Sequence, residues 1–530
     1  MGTGGADAGP YFLGIDLGTS SCKVALTDAT GKVVAGETGS YPLSLLPGGG
    51  VEQDPERWWS AIVSATGNLF QSGHGIDPSR VQALGATGQW SGTVAVDRSG
   101  RPLRPAILWM DTRGEPFVKA LTAGFPGVSG YRVDKLLRWL RRTGGAPAHS
   151  GKDSLAHILY LRGKEPDVYR STHFFLEPKD YVNFRLTGTF TASWDNVVVT
   201  WVTDNRDPSA VRYDPALFRM TGLDPSKFPP LKGCTEVVGG LDPRAAEELG
   251  LRASTPVVAG AGDMQASLIG AGCTRPFQFH LYLGTSSWLT AHVPFKKTDV
   301  VHNMASLPSA IRGSYLIVAT QESAGSSLSY MRDLLFGKDG AAPGFGELDR
   351  MAARAAPGEG GVLFTPWLYG ERAPVEDRNL RGALVNLSLG VGRDQVLRSV
   401  LEGVAYNTRW ILGPVEHLAA GHRADPIRVG GGGGASSLWC QILADVLGRT
   451  IEVIEEPAYA TARGAALLAA VGTGKTTFEE VAKASRTVHR FAPDAKRGAV
   501  YDRMFERYVR FHRLNAPLFR DLNQPKGRAD

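Results

Sequence analysis

Residues 14–26 read GIDLGTSSCKVAL, and residues 279–293 read FHLYLGTSSWLTAHV. The same five letters, LGTSS, close an apolar run in each half of the chain and precede a second apolar run. Gly, Thr and Ser are common turn residues, so the pentapeptide alone is a weak sign. The shared strand–turn–strand context makes it a repeat. Such a turn offers backbone N–H groups and hydroxyls on one side, which is a phosphate-binding surface. Two of them, from paired units, predict a polyphosphate held between them. Thr19, Ser20 and Ser21 are the candidate contacts in the first copy, and Gly284, Thr285 and Ser286 in the second. Asp16 stands just before the first turn, where a carboxylate beside phosphates suits Mg²⁺, bound directly or through water.

Outward from the first copy, YFLGIDLG, CKVALTD and the run after ATGK read as strands. DPERWWSAIVSATGNLF reads as a helix with Asp54 as its cap and Pro55 at its first position. VQALGATGQ is a short buried strand and TVAVDRSGRPL a hairpin arm. The second copy restarts the pattern, and helices follow in DQVLRSVLEGVAYNTRWIL, SSLWCQILADVLG and ARGAALLAAVG. The two halves are variants of one mixed α/β unit.

The chain has 530 residues, beyond what one hydrophobic core usually supports. Its hydrophobic share of 43% and charged share of 21% are those of a folded globular protein. No run of 18 apolar residues and no secretory leader are visible, so a cytoplasmic protein without membrane contact is expected. Cys22, Cys234, Cys273 and Cys440 are scattered and show no metal-ligand spacing. A net charge of +6 is mild for this length. The densest basic stretch, YRVDKLLRWLRR, is read as a solvated helix face, and no nucleic-acid partner is expected.

Four further motifs carry chemistry. GAGDMQ places Asp263 after an apolar strand near the join of the halves. A general base facing a cleft and a helix N-cap are equally good readings of it. TGQWSG (Gln89, Trp90, Ser91) and LWMDTRG (Trp109, Asp111, Arg113) supply amide, indole, acid and guanidinium groups suited to a polyol. Taken singly, each fits a core Trp or a structural ion pair equally well. The glycine run 430–434 between a strand and a helix lets a flat ring approach the backbone. AAVGTGKTT resembles a P-loop, but the position five before Gly474 is Ala469, so Gly472 and Gly474 are read as the end of a helix.

In this order the motifs resemble the FGGY family of carbohydrate kinases, and within it the xylulokinases most. The resemblance covers roughly residues 11–480. RPAILWMDTR, EPKDYVNFRLTG, GERAPVEDRNLRG and GGGASSLWCQILADVLG also match. It implies two actin-like domains, each related to ribonuclease H, closing over a central catalytic cleft. A flexible terminus (1–10), an N-terminal domain (11–272), a C-terminal domain (273–480) and a helical extension (481–530) are then expected. It implies ATP and Mg²⁺ as cofactors, Asp263 as catalytic base in contact with sugar and metal, and Asp16 as the metal-associated carboxylate. Adenosine contacts carry over to Gly433, Gly434 and Ala435, with Gly325 as a further match. Gln89, Trp90, Ser91, Asp111 and Arg113 would line the sugar pocket.

Departures from the family pattern fall mainly in that pocket. GQWSG stands where GQMHG is usual, and GAGDM where GAGDN is usual. His157 replaces a signature Lys, and Asn386 replaces a signature Gly. The expected reaction is phosphorylation of D-xylulose to D-xylulose 5-phosphate. Ribulose, erythritol and glycerol are the alternative acceptors, and an actin-like ATPase without sugar chemistry is the alternative class. A small-molecule sugar or polyol is the expected partner, with room for a homodimer.

Overall fold

Two hairpins organise two sheets in this computed structural model, which describes residues 9–72, 75–337 and 342–523. The expected flexible terminus lies, through residue 8, outside the described residues. The first hairpin joins β1 (Tyr11–Leu17) to β2 (Ser21–Thr27), which pairs with β3 (Val33–Ser40). On its other side β1 lies parallel to β4 (Val81–Gly88), then β6 (Pro256–Gly262), with β5 (Val237–Gly240) antiparallel at the edge.

The second hairpin joins β7 (Phe279–Leu283) to β8 (Ser287–Val293). Beyond β8 come β11 (Tyr315–Gln321), β10 (Met304–Pro308) and β9 (Thr298–Asp299). On the other side β7 lies parallel to β12 (Ile427–Gly430), then β13 (Ile451–Ile454), with β14 (Thr487–Phe491) antiparallel at the edge. The order β3-β2-β1-β4-β6-β5 in one sheet thus repeats, direction for direction, as β11-β8-β7-β12-β13-β14 in the other. The repeated pentapeptide marks a duplicated unit.

The segment expected to be a purely helical extension supplies that last edge strand, so the second sheet runs past residue 480. The rest of the segment is largely the helix α7 (Ala495–Asn523), whose Tyr501, Met504 and Tyr508 are buried in the second core. The other helices used below are α1 (Pro55–Gln71), α2 (Asp263–Gly270), α3 (Gly325–Phe336), α4 (Arg393–Leu418), α5 (Ser437–Leu447) and α6 (Ala460–Gly472). Asp54 caps α1 by accepting from Glu56 N–H, as its sequence predicts.

The joint between the sheets is the pair α2 and α6. The composition of α6, ATARGAALLAAVG, explains how it fits. A Cβ on Gly14 of β1 would sit 1.8 Å from the Ala462 carbonyl oxygen, and one on Gly464 would sit 1.8 Å from that of Ala266 in α2. Helix, strand and helix meet backbone to backbone, which only Gly and Ala allow. Although α6 comes late in the chain, it packs against the first sheet. Trp288 on β8 donates its Nε1–H to Ser267 Oγ of α2 at 3.1 Å, tying the second hairpin to the same joint. The basic stretch forms the helix Val133–Arg142, where Arg142 pairs with Asp204 and Asp214 and the Arg132–Asp134 pair lies exposed. Among the described residues no helix is long and apolar enough to cross a membrane.

Candidate active site

The identical pentapeptides fold into related but unequal turns. In the first, Gly18 N–H donates to Ser21 O at 3.0 Å; in the second, Gly284 N–H donates to Ser286 O at 3.0 Å, one residue tighter. Ser20 and Thr285 are exposed at their tips. The Thr19 hydroxyl accepts from Trp109 Nε1 at 3.0 Å. Its carbonyl accepts from Gln53 Nε2 at 2.7 Å, and the Gln53 oxygen accepts from Gln89 Nε2 at 3.2 Å and Trp58 Nε1 at 3.0 Å. Gln53 therefore links the first turn to the expected sugar residue Gln89. The sequence reading did not single out Gln53, although a Gln one residue before a helix cap in an otherwise buried strand is a visible signal.

Gly325 and the glycine run both close on the second turn. Gly325 N–H donates to Gly284 O at 2.8 Å, and a Cβ there would lie 2.6 Å from that oxygen. A Cβ on Gly433 would lie 2.5 Å from the Leu283 side chain. Gly434 and Ala435 complete the short turn before α5, which Ser436 caps by accepting from Trp439 N–H at 3.0 Å. The second LGTSS turn, Gly325 and the glycine run thus form one continuous surface.

Asp263 is the first residue of α2, and the cap position is Gly262. Its Oδ1 accepts from Met264 N–H at 2.8 Å. Burial, and then the negative charge of Asp16, push its carboxyl up to about 8. Burial lifts Asp16 to about 6 against the pull of Lys23. Two desolvated carboxylates that raise each other's cost of ionisation gain when a cation arrives. Among the described residues no three His, Cys, Asp or Glu side chains gather as a metal cage. Asp16 and Asp263 are the donors suited to Mg²⁺, which takes one or two carboxylates with substrate phosphates and keeps water. Tyr282, stacked on Trp288 with ring centroids 4.1 Å apart, senses the charges of both Asp16 and Asp263. It brings the second hairpin to the two carboxylates.

The end of β6 is held from outside. Asp195 Oδ2 accepts from Gly262 N–H at 2.9 Å, and Asp195 Oδ1 accepts from Ser193 Oγ at 2.6 Å. Trp90 donates its Nε1–H to Asn196 O at 2.7 Å, and its ring lies 3.8 Å from where a Gly262 Cβ would be. Trp90 is therefore placed beside the carboxylate-bearing turn. Ser91 next to it takes φ +64°, an uncommon conformation for a non-Gly residue that here turns the chain at the site.

Asp111 and Arg113 form the structural ion pair that the sequence left open. Arg113 donates from Nε and Nη2 to Asp111 and from Nη2 to Glu52 at 2.5 Å, while Asp111 Oδ2 also accepts from Val51 N–H at 2.8 Å. These bonds fix the strand Gly50–Gln53 that carries Gln53, so both residues position the site. His157, which replaces the signature Lys, lies buried with Nδ1 3.2 Å from Thr93 Oγ1, and burial holds it neutral, down at about 4. Asn386 takes φ +67°, a left-handed conformation that Asn tolerates better than most residues, which explains its standing for Gly. The P-loop-like stretch lies at the far end of α6, with Lys475 exposed and its N–H bonded to Ala470 O at 2.9 Å.

Residues 11–270 match the FGGY family of carbohydrate kinases, N-terminal domain, and residues 280–473 match the C-terminal domain of the same family. The chain is 30% identical to a xylulose kinase from Escherichia coli (strain K12), covering 96% of this chain and 99% of that protein. It is 25% identical to a gluconokinase from Bacillus subtilis (strain 168), covering 95% and 96%. The crystal structure of xylulose kinase from Rhodospirillum rubrum superposes with a TM-score of 0.78 at 27% identity, covering 96% of this chain and 99% of that one.

Proposed function

The chain belongs to the FGGY family of carbohydrate kinases, and from that premise we propose that it transfers the γ-phosphoryl group of ATP to a terminal hydroxyl of D-xylulose, giving D-xylulose 5-phosphate. The observation that carries this reading is Asp263, a desolvated carboxyl at the start of α2, at the joint against which the second phosphate hairpin packs. Met264 N–H holds Oδ1, which leaves Oδ2 as the oxygen that takes the proton from the acceptor hydroxyl. The two LGTSS turns present N–H groups and hydroxyls to the phosphates, and Gly325, Gly433 and Gly434, packed against the second turn and its flanks, form the backbone surface on which adenosine would lie. Asp16 would hold Mg²⁺, which would supply positive charge beside the transferring group. Trp90 and Gln89 orient the sugar, while Asp111, Arg113 and Asp195 keep the frame rigid. The cytoplasm is the compartment that supplies ATP, and the four buried free cysteines suit its reducing conditions.

Gluconate is the second acceptor to consider, because Trp90, Ser91 and Met264 depart from the xylulokinase pattern and a gluconokinase is among the relatives. A panel of ketopentoses, polyols and gluconate, read by coupled ADP detection, tests the proposal. ADP formation should rise sharply with D-xylulose and only in the presence of a divalent cation. Equal rates with and without every acceptor would overturn it in favour of an actin-like ATPase.

A further inference from the structure

At the opposite end of α2 from Asp263 lies a polar cavity of about 30 Å³. Its lining residue Gly270 is seven residues along the helix from Asp263, so the cavity is about 10 Å from the proposed base. It is walled by the β2–β3 turn (Thr30, Lys32), the end of α2 (Gly270), the end of β13 (Glu455), α6 (Arg463) and the segment at Ser485 and Arg486. All of these meet at the joint between the sheets.

Arg463 is its buried wall. The residue is 6% exposed and sits in the first turn of an Ala-rich helix, where a buried guanidinium is costly. Its Nη1 donates to Glu455 O at 2.8 Å. Its Nε and Nη2 have no hydrogen-bond partner among the described residues, and burial lowers its pKa to about 10, so it stays charged at neutral pH. Nε and Nη2 form one edge of the guanidinium, the fork that binds two oxygens of one oxyanion side by side. Lys32 and Arg486 stand exposed at the opening, and Glu455 is the one acidic residue of the lining. Lys32, Arg463 and Arg486 outnumber Glu455 and its neighbour Glu456, whose charge also acts on Arg463, which favours an anion. The volume is about twice what one water needs, which admits a single tetrahedral group and excludes a nucleotide.

We propose that this cavity binds a phosphoryl oxyanion, either free orthophosphate or the phosphate group of a sugar phosphate, with the buried guanidinium of Arg463 as its anchor. This site is separate from the LGTSS turns and lies on the two elements, α2 and α6, about which the sheets meet.

Calorimetric titration of the full-length protein, without nucleotide and at constant ionic strength in chloride, tests it. Orthophosphate and a pentose 5-phosphate are the two probes, with acetate as control. In Arg463→Met the binding of the preferred phosphate should weaken by more than tenfold. The Thr19→Val/Thr285→Val variant, altered only at the phosphate turns, should keep that binding. Should Arg463→Met fail to fold, Lys32→Met/Arg486→Met at the exposed opening should weaken binding several-fold. The stronger of the two phosphate probes identifies the source. Unchanged phosphate affinity in the Arg463 or the double-exposed variant, loss confined to the threonine variant, or equal binding of acetate would each overturn the proposal.

Discussion

Replacing Asp263 by Asn should stop the chemistry and steady the fold at once. Asn matches the shape and keeps an oxygen to accept Met264 N–H, but it cannot take a proton. A positioned base contributes about 10²–10⁴-fold, so kcat should fall by that factor, with the sugar KM changed far less. Stability should move the other way. The carboxyl is raised from 3.8 to about 8 in the folded protein, so the fold binds this proton more tightly than the unfolded chain does. Its contribution is complete below about pH 4 and is lost as pH rises towards 8. At about 1.4 kcal/mol per pKa unit, the accumulated cost at pH 7 is about 4 kcal/mol. The Asn variant is free of that cost. Its melting temperature should exceed that of the parent at pH 7–8, and the two should converge near pH 4. Coupled ADP detection gives kcat, and thermal melts from pH 4 to 9 give the stability gap. A merely structural residue at a helix start would behave differently, losing ~1 kcal/mol on substitution. A normal turnover number with a lowered melting temperature would refute the assignment of Asp263 as the base.

Asp16→Asn should raise the Mg²⁺ concentration needed for half-maximal rate, read from a metal titration at saturating ATP; an unchanged requirement would remove Asp16 from the metal. Changing Trp90 and Ser91 together to Met and His should shift the preference among acceptors more than the KM for ATP, as a substrate panel on the variant would show. Gly325→Ala places a Cβ 2.6 Å from Gly284 O, so the second turn must shift and the KM for ATP should rise at least several-fold, with sugar binding by the free enzyme nearly unaltered. Lys475→Ala should leave ATP affinity unchanged, while Thr285→Val should weaken it; nucleotide titration of both variants separates the P-loop reading from the paired-turn reading.

Short-range patterns determined much of this protein from the sequence alone. The LGTSS hairpins, the capped helix after Asp54, the helix end at Gly472 and the placing of Asp263 at a strand-to-helix junction depend on residues within a few positions of one another. Local backbone preference decides such features, and they are legible without the fold. Tertiary structure decided the rest. The C-terminal strand Thr487–Phe491 reads as nothing in particular until it pairs with Ile451–Ile454 and completes the duplicated sheet. Whether Asp111 and Arg113 are free for a sugar depended on Glu52 and Val51, some 60 residues earlier in the chain, already holding them. The small residues of α6 suggested a helix; only contact with Gly14 and Ala266 showed that they exist to let backbones touch. Arg463 gives the same lesson with charge. Its cost depends on the β2–β3 turn and the end of α2 that bury it, and packing across hundreds of residues leaves no periodicity in the sequence to read.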